Sequence, residues 1–230
     1  MTYKEKVLVI GGGSGIGEAI VEEMRFRTDS ENIFVPPKDE LDVAVYGQVV
    51  AYIAAHGPFD YVVFSAGINY LAPLGDADVL AHADVLDTNL LGFLHVMEAL
   101  ASLQEHHPAR VLVIGSDAAE RPLRTSISYC ASKAGLHMAV RVAARELGPK
   151  GWRINAVAPG MTHGTGMQEY VDATVPEVRG WSVEHMLGYE ASQEVVPGRI
   201  TTSEVAEISV TTLFGPDHLN GSIIFLNGGR

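Results

Sequence analysis

The sequence has almost no cysteine: Cys130 stands alone among 230 residues. An intrachain disulfide is thereby excluded, and the chain is compatible with a reducing cytoplasm, the expected location. No run of about 18 uncharged apolar residues occurs, so no membrane span is expected. The start, Met1-Thr2-Tyr3-Lys4-Glu5-Lys6, leads into an apolar run without the length or flanks of a secretion leader. Cations are scarce as well. Sixteen Lys and Arg face 28 Asp and Glu, for a net charge of −12. That balance argues against a nucleic-acid backbone or an anionic membrane as partner. The nine histidines form no H-x-x-x-H or H-E-x-x-H pair, and His106-His107 sits before Pro108 at a helix end, so no metal site is expected. A serine hydrolase would need G-x-S-x-G, and Ser14 has Gly12 before it but Ile16 after it. Repeats and low-complexity tracts are absent.

What is present is enough apolar material for a core, 47% hydrophobic against 19% charged residues, in a length that suits one α/β domain over 1–230. Val7-Leu8-Val9-Ile10 is a continuous, β-branched run that reads as a buried parallel strand. Further strands are expected at Asn32–Val35, Asp60–Phe64, Arg110–Ile114, Arg153–Ala158 and Ser222–Leu226. Helical patterns follow the glycine turn to about Arg27, and cover about Val45–Ala55, Ala77–Leu103 and Ile127–Leu147. A last helix begins at Ser203-Glu204, with Ser203 as candidate N-cap. Strands and helices alternate, which predicts a doubly wound parallel, Rossmann-like sheet. Only Pro36 to Glu40 separate the second apolar run from Leu41-Asp42-Val43. A parallel crossover needs about a dozen residues. The helix usual between strands two and three is therefore missing, Leu41–Val43 is a loop or edge piece, and about six strands remain. Residues 161–197 show no clean period and read as a long connection at the carboxyl end of a strand, a substrate-binding loop or lid.

Two stretches carry chemistry. Gly11, Gly15 and Gly17 stand as G-x-x-x-G-x-G between the first strand and the first helix. Glycines let backbone approach a phosphate closely, and the helix N-terminus offers free N–H groups and the positive end of its dipole. Tyr129 and Lys133 lie one turn apart on one helix face. An ammonium beside a phenol favours phenolate, so Lys133 is expected to lower the Tyr129 pKa. Ser65-Ala66-Gly67, a small-residue turn at the carboxyl end of a strand, falls where ligands sit in open α/β sheets. Asn89 interrupts an apolar helical pattern, and Cys130, beside Tyr129, points about 100° away around the helix.

Taken together, the chain from Val7 to Gly229 resembles the short-chain dehydrogenase/reductase family. The resemblance rests on Ile10 to Gly17, Asp42, Ser65-Ala66-Gly67, Asn89, Ser116, Tyr129 with Lys133, and Arg153-Ile154-Asn155-Ala156-Val157-Ala158-Pro159-Gly160. It implies hydride transfer between a nicotinamide and a carbonyl or alcohol carbon of a small molecule. By resemblance, Tyr129 is the general acid/base, Lys133 lowers its pKa and holds the nicotinamide ribose, Ser116 hydrogen-bonds the substrate oxygen, and Asn89 keeps a water that links Lys133 to solvent. Gly11, Gly13, Ser14, Gly15, Ile16 and Gly17 would line the pyrophosphate and ribose, Asp42 would touch the adenine, and Ser65, Ala66 and Gly67 would pass under the adenosine ribose. Pro159 and Gly160 would receive the carboxamide, with Thr162 or Thr165, preferably Thr165, as its cap. Departures exist. Ile10 replaces a frequent Thr, Phe64-Ser65 a frequent Asn-Asn, Gly115 the first of two common serines, and Asn227 a common Asp. The second strand ends at Pro36-Pro37 without the carboxylate that would bind an NAD ribose, and Lys38 follows. Asp39 and Glu40 dilute that charge, and the balance favours NADP over NAD. The apolar faces of Ala77–Leu103 and Ile127–Leu147 would, by resemblance, pair across a homodimer or homotetramer. The Met, Trp and Tyr of 161–197 suggest an apolar or ring-bearing substrate. The alternative is a catalytically silent dinucleotide-binding regulator of the same fold.

Overall fold

The central apolar runs become buried strands, and the runs at Ile33–Phe34 and Ile223–Leu226 become half-buried edge strands. The computed structural model describes residues 5–193 and 195–229. Residues 1–4, in the stretch read above for a leader, lie outside them, as do Glu194 in the 161–197 connection and Arg230. In chain order the elements are β1 (Val7–Ile10), α1 (Gly15–Met24), β2 (Ile33–Phe34), α2 (Tyr46–His56), β3 (Tyr61–Phe64), α3 (Val79–Leu86), α4 (Gly92–Leu103), β4 (Arg110–Ile114) and α5 (Ile127–Leu147). Then follow β5 (Arg153–Pro159), β6 (Thr162–His163), α6 (Gly166–Arg179), α7 (Val183–Ser192), β7 (Ile200–Thr201), α8 (Thr202–Leu213) and β8 (Ile223–Leu226).

Six strands form one parallel sheet in the order β2-β1-β3-β4-β5-β8. Side chains alternate across it. Leu8, Ile10, Val62, Phe64, Val111 and Val113 meet α2, α4 and α5 on one face, whereas Val7, Val9, Val63 and Leu112 meet α1 and α8 on the other. Two covered faces explain why the strand runs are continuously apolar. The short link after β2 holds neither a strand nor a helix before α2, and Leu41 and Val43 are buried from a loop. A five-residue turn, Asp87–Leu91, with i→i+5 hydrogen bonding joins α3 to α4 and carries Asn89.

Two expectations need correction. Residues 161–197 are not a loop: they hold β6, α6 and α7. The Thr165 and Ser182 hydroxyls cap the two helices by accepting from Gln168 N and His185 N at 3.0 Å each. Only a narrow apolar stripe of α6 is covered, with Val175 buried, and Pro176 interrupts it, so the sequence period is weak. The N-cap of α8 is Thr201, not Ser203. Thr201 Oγ1 accepts from Glu204 N at 3.2 Å while Glu204 Oε2 accepts from Thr201 N at 2.7 Å, a reciprocal box that requires the three-residue spacing.

Candidate active site

The carboxyl ends of β1 and β3 open the site, because strand order reverses there: the chain steps from β1 out to β2 and returns to β3 on the other side. At the tip of β1, Gly11 has φ +80°, and a Cβ on it would meet Ala66 N at 2.7 Å. A Cβ on Gly17 would collide with the Gly11 carbonyl oxygen. Both positions therefore require glycine. Ser14 is the N-cap of α1 but its side chain makes no capping bond, which leaves the first-turn amides and the helix dipole for a ligand anion. Thr165 faces this turn, its methyl 3.3 Å from a Cβ built on Gly15.

From the glycine turn a cavity of about 420 Å³ runs under α6 and α7. Gly11, Ser14, Gly15, Ile16, Ser65, Ala66, Gly67, Ser116, Tyr129, Lys133, Pro159, Gly160, Thr162 and Thr165 all line it. Gly13, Gly17, Lys38, Asp42 and Asn89 are not among its lining residues. Gly17 is buried beneath the turn, and Gly13 faces open space. Asp42 accepts from Ala44 N at 3.0 Å and lies 3.6 Å from the Lys38 ammonium, whose side chain is 82% exposed. Asn89, fully buried, accepts from Ile68 N at 2.8 Å and donates to Ile68 O at 2.9 Å and Ser132 Oγ at 3.0 Å. It thus ties the turn after β3 to α5. A Cβ on Gly67 would sit 3.4 Å from Asn89 Oδ1 and 3.5 Å from Lys133 Nζ, so the two groups flank the same spot. Of the two threonines, Thr162 donates to Gly160 O at 3.1 Å and Thr165 caps α6.

Electrostatics corrects the expectation for the Tyr129–Lys133 pair. Burial pushes the Tyr129 phenol up to about 12, Ser116 pulls it down through a hydrogen bond, and the Asp117 carboxylate pushes it up again. Lys133 Nζ lies 5.8 Å from the Tyr129 ring centroid and donates to Ile114 O at 2.9 Å. Burial pulls Lys133 itself down to about 8. At this separation the ammonium does not offset the loss of water around the phenol.

Several site groups were missed in the sequence. His137, one turn beyond Lys133, is buried against Gly115, and its Nε2 accepts from Ser116 N at 3.4 Å. A Cβ on Gly115 would run into that ring, which explains the glycine at this position. Burial, with the nearby Lys133 and Arg141 charges, takes the imidazole down to about 4, so it is neutral. The i+4 spacing from Lys133 could have revealed it. Asp117 pairs with Arg121 at 2.8 Å on the cavity wall. Arg199 clamps Asp172 (2.7 Å) and Glu190 (2.6 Å), bolting α6 to α7. These lid contacts were invisible because the lid helices were.

A sequence model of the short chain dehydrogenase family matches residues 39–176. The chain is 30% identical over 226 residues to a vibriobactin-specific 2,3-dihydro-2,3-dihydroxybenzoate dehydrogenase of Vibrio cholerae, covering 85% of each. It is 31% identical over 171 residues to a D-erythrulose reductase of Gallus gallus, covering 67% of this chain and 70% of the relative. In fold it is similar to the structure of an actinorhodin polyketide ketoreductase with NADPH, at a TM-score of 0.84 and 24% identity over 98% of this chain and 97% of that one. The parallel sheet, the glycine turn and these relatives agree: the chain belongs to the short-chain dehydrogenase/reductase family of oxidoreductases.

Proposed function

We propose that the protein reduces the carbonyl of a small, apolar or ring-bearing molecule with a nicotinamide dinucleotide, with Tyr129 as proton donor. One observation carries this reading: a single cavity joins the glycine turn at Gly11–Ile16 to Ser116, Tyr129 and Lys133. The residues fit a dinucleotide, since glycine positions without room for a Cβ and an uncapped helix N-terminus suit a pyrophosphate. When bound, the dinucleotide supplies the hydride.

The chain's own groups handle position and protons. A phenol whose pKa stands near 12 is protonated throughout the physiological range. It can donate to a developing alkoxide, a far stronger base, while Ser116 donates a second hydrogen bond to the same oxygen. The resting, protonated phenol is the form that the reductive step uses. Lys133 has donors beyond its bond to Ile114 O for a ribose hydroxyl. Asn89, flanking the same spot, is the proposed holder of the water through which Lys133 regains protons. Gly13, Gly15 and Gly17 shape the phosphate turn, Ser65, Ala66 and Gly67 underlie the adenosine ribose, and Asp42 meets the adenine. Pro159, Gly160 and Thr162 or Thr165 receive the carboxamide.

NADP is the proposed cofactor over NAD. Lys38 is exposed and only loosely paired, free to meet a 2′-phosphate, and no carboxylate ends the second strand. The test is a screen of ketones and secondary alcohols against each dinucleotide, following the absorbance of the reduced nicotinamide, for wild type and Lys38→Ala. Turnover with a NADP preference that shrinks in Lys38→Ala is expected. Dinucleotide binding without turnover on any carbonyl would leave the silent regulator, and an unchanged preference would remove Lys38.

A further inference from the structure

The end of the cavity away from the glycine turn carries a cation with no carboxylate partner among the described residues. Helix α6 begins just after its cap Thr165, which sits against Gly15, and its 14 residues place Arg179 about 20 Å further along the axis. Arg179 lines the same cavity as Tyr129. Its guanidinium lies 5.1 Å from the Trp181 ring, donates from Nε to Thr125 Oγ1 at 3.3 Å and from Nη2 to Arg124 O. Among the described residues it has no carboxylate partner; burial pulls its pKa down, the Tyr189 side chain raises it, and the Arg124 charge lowers it again.

The acidic residues of the cavity wall are otherwise engaged. Asp117 is held by Arg121, and Asp172 and Glu190 share Arg199. Arg179 is the arginine on this wall whose charge is left for a ligand. Its support is also unusual. Thr125 sits at φ +69°, a left-handed conformation that a β-branched residue adopts only at a cost of about 1–3 kcal/mol. That conformation is in place where the Arg124 carbonyl and the Thr125 hydroxyl both meet Arg179. The walls nearby are apolar: Leu71, Val175 and Met186 with Trp181.

We propose that Arg179, stacked on Trp181, is an anion subsite, and that the substrate carries a carboxylate on an apolar, ring-sized body whose carbonyl reaches Tyr129. A planar guanidinium with free donors matches a carboxylate edge to edge, and the apolar walls suit a ring between the two ends. The inference rests on reading this cavity as the substrate site and names the class of that substrate.

The test compares benzoate with benzamide, equal in shape and different in charge, by calorimetric titration of the protein saturated with NADP. Wild type is expected to bind benzoate at least tenfold more tightly than benzamide. The ratio should collapse towards one in Arg179→Met and persist in Arg179→Lys. Equal binding of the two probes by wild type overturns the subsite whatever the fate of the variants, and a ratio preserved in Arg179→Met does the same. Tyr129→Phe should keep the benzoate preference. Its turnover therefore judges the catalytic reading separately from the subsite.

Discussion

Tyr129 and Lys133 share a helix face, yet burial moves them in opposite senses from their usual behaviour: the acid is kept protonated and the base is pushed towards losing its charge. The pairing was legible from a four-residue spacing, and the direction of the phenol's shift was not. Desolvation depends on Ala118, Val85 and the lid residue Met167 around the ring, which come together only in the fold. A consequence for stability follows. Lys133 falls from an ordinary value of 10.5 to about 8 in the folded protein. The unfolded chain then holds more protons between those two values, so this group's contribution to stability rises with pH through that window. The stability of wild type relative to Lys133→Met should therefore grow by roughly 2 kcal/mol between about pH 7 and about pH 10, measured by urea unfolding. Other titrating groups are common to both proteins and cancel. A difference that stays constant with pH would mean that the buried ammonium is not strained by its surroundings.

Among the elements, β4 and α5 meet where Gly115 gives room to His137. The sequence displayed the glycine as a departure from a common serine, with no reason attached; the reason is a ring 22 residues further on in the chain. Restoring the serine should destabilise the protein by about 1–3 kcal/mol through overpacking. Truncating the ring in the Gly115→Ser, His137→Ala double variant should recover much of that loss. Thermal melts of the four-protein cycle measure the coupling, and additive effects would show that the two side chains do not compete for one space. The sheet was readable for a different reason from the lid. Parallel strands buried on both faces leave continuous apolar runs, whereas α6 and α7 cover only one stripe each and are fixed by caps and by Arg199. Arg199 lies outside the helices it joins, so no local pattern reveals it.

For the whole molecule, one group of exposed apolar residues lies on three helices that adjoin one another. Leu80 is 75% exposed, Leu94 42%, Met138 56% and Val142 47%, on helices α3, α4 and α5. Surface of this kind on adjoining helices suits a partner copy. Light scattering at micromolar concentration should give the mass of a dimer or tetramer, and a monomer would contradict that expectation. The net charge of −12 bears on the same scale, because it repels a small anion at long range and leaves any attraction to local groups such as Arg179. The central claim is that a buried phenol, reached from the glycine turn through one cavity, passes the proton that completes a carbonyl reduction. The most direct measurement is steady-state reduction by Tyr129→Phe, with dinucleotide affinity measured in parallel. The account predicts turnover lowered by at least about a hundredfold with affinity nearly unchanged; turnover equal to that of wild type would contradict it.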